Sequence, residues 1–214
     1  MVPTPMRRLT LIRHGITPWN ESGRFQGRSD IALAPAGREQ ALRLRARSAH
    51  LGPLDALVCS TSVRARETAE LAFPGHVLER DERLRELDFG VFEGRTMPEN
   101  QAHPAWSWWT LDPIRRPAPR GESYGGLRAR AVAWLDDATR RWDGAHVVAV
   151  SHSGTIQMLL AHLFGIAQPR WTIRVEVAHT SISQVRFEGG MTVVERVNDA
   201  RHLDPVAVDE AVGT

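Results

Sequence analysis

The chain has one cysteine, Cys59, in 214 residues. No disulfide can close within it, which fits a reducing compartment and a cytoplasmic location. Charge of one sign is also scarce: 27 Lys+Arg against 25 Asp+Glu leave a formal net charge of +2. That balance gives no general affinity for nucleic acid or anionic membranes, so any attraction for anions must be local. The segment Met1 to Arg8 lacks the apolar core and small-residue cleavage site of a signal peptide. No long apolar run exists either, since the stretch Val147 to Ala167 is broken by Ser151, His152, Ser153 and His162. A membrane span is excluded on that ground. There are nine histidines but no H-E-x-x-H spacing, so neither a metal site nor a cofactor is expected. Ser60, Ser151 and Ser153 lie in no G-x-S-x-G elbow, which excludes that kind of serine hydrolase. Internal repeats and low-complexity tracts are absent.

The 42% of hydrophobic residues can fill a sizeable core. One domain over residues 1–203 is expected, with a loose tail over 204–214. Leu9 to Ile12 reads as a buried strand that stops at Arg13 and His14, where Gly15 lets the backbone turn. Asn20 to Ser29 reads as a loop. Ala34 to Leu51 reads as a helix with Leu42 and Leu44 among its apolar contacts, and Leu54 to Cys59 as a second strand. Ser60, Thr61 and Ser62 offer N-caps for a helix over Val63 to Phe73, and Val77 to Phe92 is predicted as a third extended segment. Residues 94–126 hold five prolines and no sustained period, and form the expected lid. A helix over Leu127 to Trp142, a strand over Val147 to Val150, a helix through Phe164, and a hairpin of Ile182 to Phe187 with Met191 to Val197 complete the chain. Alternation of strand and helix predicts an α/β three-layer sandwich, with a mostly parallel central sheet flanked by helices.

Parallel strands bring their carboxyl ends to one edge, so Arg13 and His14, Ser60 to Arg64, and Ser151 to Ser153 with His152 can converge. The segment Leu84 to Gly90 adds Glu86 and Asp88 if it crosses that edge, and on an extended strand both acids would face the same side. Two histidines, two arginines and a carboxylate in one crevice suit a phosphoryl group, because guanidinium forks match and neutralise its oxygens.

The chain resembles the histidine phosphatase superfamily, the phosphoglycerate-mutase-like proteins. The resemblance lies in Arg13-His14-Gly15 with Thr17 and Asn20, and in Phe25-Gln26-Gly27 with Asp30, Leu33 and Gly37. It continues through Ser60 to Ala65 with Thr68 and Ala69, and through Leu84, Glu86, Gly90, Glu93 and Gly94. Gly121-Glu122-Ser123 and Ser151-His152 with Gly154 complete an ordered set spanning roughly Leu9 to Ile166, most of the chain.

The resemblance implies that His14 is the nucleophile and that Arg13, Arg64 and an imidazolium at His152 hold the equatorial oxygens. Glu86 is implied as the general acid, favoured over Asp88, and an acid there accelerates departure of an alkoxide about a hundred- to ten-thousand-fold. Asn20, Gln26 and Gly27 are implied in substrate binding. The expected partner is a small-molecule phosphate ester, with no nucleic acid or membrane, and a homodimer is left open. A phosphatase is favoured over a mutase because the lid is modest in length, and over a non-catalytic phospho-ligand-binding module because nucleophile and acid are both present. Trp106, Trp108 and Trp109 are read either as an aromatic wall for the leaving group or as lid packing. Among the remaining histidines only His179 lies in a loop that can pass the pocket.

Overall fold

The computed structural model describes residues 6–166 and 175–204. The expected tail lies outside them apart from Asp204. Four parallel strands form the centre of one sheet: β1 (Arg8–Arg13), β2 (Ala56–Ser60), β3 (Leu78–Asp81) and β4 (His146–Ser151). A hairpin of β5 (Ile182–Glu188) and β6 (Met191–Asp199) adds antiparallel to β1, giving the order β3-β2-β4-β1-β5-β6. β1, β2 and β4 read as nearly unbroken apolar runs because both of their faces are covered, whereas β3, with Glu79, Arg80 and Asp81, is an edge strand.

Alternation along those strands separates two cores. Leu9, Leu11, Val147 and Ala149 pack with Trp134, Leu135 and Ala138 of α6 (Tyr124–Arg141) and with Ile156, Leu159 and Leu160 of α7 (Ser153–Leu163). On the opposite face Ile12, Leu57, Val148 and Val150 pack with Leu44 of α2 (Pro35–Ser48) and with Ala65, Ala69 and Ala72 of α3 (Val63–Ala72). The three layers expected from the sequence are therefore present. Leu42 departs from expectation: it lies on the outer side of α2 and is 44% exposed, while Ala41 and Leu44 face the core.

Three segments differ from the sequence reading. The loop after β1 opens with a short helix, α1 (Pro18–Glu21), whose Thr17 and Asn20 form a capping box. The extended segment predicted for Val77 to Phe92 is β-structure only over β3, and the chain then turns through 3-10 turns at Glu82–Leu84 and Gly90–Phe92. Polar Glu82 and Arg83 together with Gly90 at φ 51° end the strand character early. The lid is not irregular, for it carries α4 (Met97–Gln101) and α5 (Trp106–Leu111). Trp109 is fully buried with Leu87, Phe92, Ala118, Tyr124, Leu127 and Met158, while Phe89 and Trp106 pack against that cluster. Trp106 and Trp109 are thus lid packing, whereas Trp108 is 48% exposed with the Arg116 guanidinium over its ring.

Candidate active site

Register alone brings the strand ends together. Arg13 pairs with Ser151 across β1 and β4, Cys59 with Val150 across β2 and β4, and the His14 amide donates to the Ser151 carbonyl at 2.9 Å. His14 and His152 are consequently neighbours, with ring centroids 5.0 Å apart. Arg64, in the first turn of α3, lies between them, wholly buried.

The hydrogen bonds fix how the two imidazoles are protonated. Arg64 Nε donates to His14 Nε2 at 3.3 Å and to His152 Nδ1 at 3.2 Å, so both ring nitrogens must carry lone pairs. His14 Nδ1 in turn donates to the Gly15 carbonyl at 2.7 Å, and His152 Nε2 reaches Ser60 Oγ at 2.8 Å and Ser62 Oγ at 3.1 Å. Burial, then the Arg64 charge, holds both pKa values well below the usual histidine range. Without a bound anion the imidazolium expected at His152 is disfavoured: its Nδ1 faces a guanidinium donor, and a proton there would meet another cation.

Arg64 donates one N–H of each terminal nitrogen to the carbonyls of Ser29 (2.9 Å) and Gly27 (2.8 Å), which leaves two N–H groups, and Arg13 donates to Val177 O (2.6 Å). Burial lowers both guanidinium pKa values to about 10, opposed by the Glu86 carboxylate, so both stay cationic at neutral pH. Among the described residues neither has a carboxylate within ion-pair distance. A buried and a half-buried cation beside two neutral imidazoles form a site whose positive charge is met by no direct ion pair among the described residues.

Glu86 is buried at the same edge. Its Oε1 accepts from the Leu87 amide at 2.8 Å and its Oε2 from the Gly154 amide, in the first turn of α7, at 2.9 Å. Gly154 is needed there because a Cβ would lie 2.4 Å from Glu86 Oε1. Asp88 does not share the position: its Oδ1 accepts from the Gly90 amide two residues on, since the segment turns rather than alternating as a strand. The Glu86 backbone is held by a residue that sequence reasoning missed. Arg130 on α6 donates to the carbonyls of Arg83 (2.8 Å), Arg85 (2.5 Å) and Glu86 (2.8 Å), and it pairs with Glu122 at 2.9 Å. Its signal was a charge beside the apolar stripe Leu127, Ala131 and Trp134.

Thr17 Oγ1 lies within hydrogen-bond reach of both Asn20 Oδ1 (2.9 Å) and Gln26 Oε1 (2.7 Å). Gln26 Nε2 is buried with no partner among the described residues. Gly27 contributes its carbonyl to Arg64 and permits a close approach, for a Cβ would lie 2.0 Å from Leu87 O. Its place in the site is to orient Arg64. Ser60 and Ser62 face His152 rather than capping α3, and Arg66 turns away toward Glu70. His179 does reach the cluster: its Nδ1 donates to the His14 carbonyl at 3.1 Å, and the rings lie 5.5 Å apart. Burial, then the Arg13 charge, lowers its pKa to about 3. His146 is buried far down β4 on Thr10, and no described helix is long and apolar enough to cross a membrane.

Known proteins share this fold. The chain is 34% identical to the Citrobacter koseri protein named "Probable phosphoglycerate mutase GpmB", over 96% of this chain and 99% of that one. Phosphoserine phosphatase from Entamoeba histolytica, solved with 3-phosphoglyceric acid, superposes with a TM-score of 0.80 at 26% identity, covering 92% of this chain and 100% of that one. The mycobacterial glucosyl-3-phosphoglycerate phosphatase Rv2419c, solved with VO3, gives 0.77 at 30% identity, over 90% and 99%. The family description that matches residues 9–200 is the histidine phosphatase superfamily, branch 1, whose members are phosphatases or mutases, and the chain belongs to that superfamily.

Proposed function

We propose that the protein is a phosphomonoester hydrolase that works through a phosphohistidine at His14 on small phosphorylated metabolites. The observation that carries this reading is the position of Arg64 Nε, which leaves His14 Nε2 with its lone pair beside two cations that lack an anion. A phosphoryl dianion supplies that anion. Arg13, Arg64 and the unpartnered Gln26 Nε2 then donate to its equatorial oxygens, and Asn20, whose Oδ1 is held by Thr17, borders the same segment. Neutral His152 lends a ring to the wall of the pocket and takes up a proton once the dianion offsets the Arg64 charge.

As the dianion binds, Glu86 takes up a proton from solvent and Arg64 Nε shifts its N–H from His14 Nε2 to a phosphoryl oxygen. The freed Nε2 lone pair then attacks phosphorus in line, the P–N bond forms as the ester P–O bond breaks, and Glu86 gives its proton to the departing alkoxide. Water then attacks the same phosphorus and gives a proton to the Glu86 carboxylate. The P–N bond breaks to return neutral His14 and inorganic phosphate. The arginines supply the positive charge, so EDTA should leave the rate unchanged. Buried, unpaired Cys59 supports a cytoplasmic setting.

The test is phosphate release from p-nitrophenyl phosphate. His14→Ala should abolish it, and full activity in that variant would overturn the reading. A mutase reading is favoured by the name of the Citrobacter relative. Its mark is isomerised phosphoglycerate appearing without matching phosphate release.

A further inference from the structure

Beside Arg13 a cavity of about 660 Å³ runs along the carboxyl edge of β1 from Gln40 on α2 to Ser153 and Gln157 on α7, roofed by Glu176 and His179. A volume of that order suits a sugar- to nucleoside-sized group. It opens beside the nucleophile, because Arg13 precedes His14 and His179 is bonded to the His14 carbonyl.

The chemistry of its wall is set by which atoms are already engaged. His179 Nδ1 must carry the hydrogen, since a carbonyl can only accept, and that leaves Nε2 as an acceptor with no partner among the described residues. Gln157 Nε2 donates to Ser153 Oγ, which leaves its Oε1 as an acceptor. Gln40 Oε1 is taken by the Ile16 amide, so its Nε2 remains a donor. Glu176 adds a carboxylate that no described cation pairs. Arg13 also lines the cavity, but in the proposed reaction its guanidinium is committed to the phosphoryl oxygens. Two neutral acceptors, one donor and the Glu176 carboxylate then face the leaving group, which suits hydroxyl groups and repels a carboxylate.

We propose that this cavity receives the leaving group of the substrate, and that this group is a polyhydroxylated alcohol without a carboxylate, as in a sugar or polyol phosphate. The inference rests on the phosphatase reading and narrows its substrate class. It also separates this chain from a phosphoglycerate enzyme, whose substrate would set a carboxylate against Glu176.

The experiment measures kcat/KM by phosphate release for ribose 5-phosphate, 3-phosphoglycerate, phosphoserine and p-nitrophenyl phosphate, in the wild type and in Glu176→Gln. The wild type should favour ribose 5-phosphate over both carboxylate esters by about tenfold or more, and Glu176→Gln should shrink that ratio by about threefold or more. Equal turnover of 3-phosphoglycerate, or a ratio unmoved in Glu176→Gln, overturns the subsite while p-nitrophenyl phosphate turnover leaves the phosphatase reading standing. Failure to release phosphate from any ester, p-nitrophenyl phosphate included, overturns both.

Discussion

Arg64 is buried and Arg130 half-buried, both close to Glu86, and their surroundings differ in one respect. Arg130 has a carboxylate, Glu122, and three backbone carbonyls, so its charge is answered within the fold. Arg64 has two carbonyls and two imidazole lone pairs, and no anion. A satisfied buried ion holds structure, whereas an unsatisfied one is a cost to folding that a ligand can relieve. The difference divides this part of the chain into a scaffold and a pocket, and each can be broken without the other.

Arg130→Met should destabilise by about 1–3 kcal/mol, because three backbone carbonyls lose their donor and half-buried Glu122 loses its partner. Chemical denaturation reads that loss. Arg64→Met should cost little or no stability and lower kcat/KM about 10²–10³-fold, as expected for a lost donor to developing charge. If the two variants lose stability equally, the division fails. Next in size, Gly154→Ala pushes a methyl onto Glu86 Oε1 and should lower kcat about 10²-fold with KM little changed. Steady-state kinetics on an alkyl phosphate checks this, since an alkoxide needs the acid most.

A smaller effect concerns pH. His14, His152 and His179 are neutral when folded, with pKa values lowered by burial and by nearby arginines, in the case of His179 to about 3. Below the ordinary histidine pKa the unfolded chain binds protons that the folded one refuses. Stability is therefore full above about pH 6.5 and falls on acidification, by at most about 1.4 kcal/mol per pH unit for each ring. Urea midpoints at pH 7.5, 6 and 5 should decline in that order, and a flat series would contradict the neutral assignment. The smallest effect is at Trp108, half exposed on the lid, where Trp108→Ala should shift stability by less than about 1 kcal/mol, in contrast with about 3–5 for buried Trp109→Ala.

The pocket was legible in the sequence wherever chemistry follows directly on an apolar run. Arg13-His14 and Ser151-His152 end strands buried on both faces, and parallel register then makes them neighbours without help from distant contacts. Glu86 was legible only through resemblance, because the extended reading of Val77 to Phe92 made Asp88 its equal. Two local turns, set by short-range polar contacts and a glycine at positive φ, removed that equality. His179 and Arg130 were harder to see. Each acts through backbone carbonyls far away in the chain, His14 for one and Arg83 to Glu86 for the other, and no spacing records such a contact. The protonation of His152 was also hidden, since it depends on which atom of Arg64 faces the ring. The lid's tryptophans carried two readings until burial decided for packing at Trp106 and Trp109 and left Trp108 at the surface.

The most direct test of the account is rapid acid-free quenching of the enzyme during turnover of a ³²P-labelled ester, followed by mapping of the label. The account predicts one labelled residue, His14, whose phosphoryl group is lost in acid, survives base and is absent from His14→Ala. An acid-stable label on another residue, or turnover with no label on His14, would contradict it.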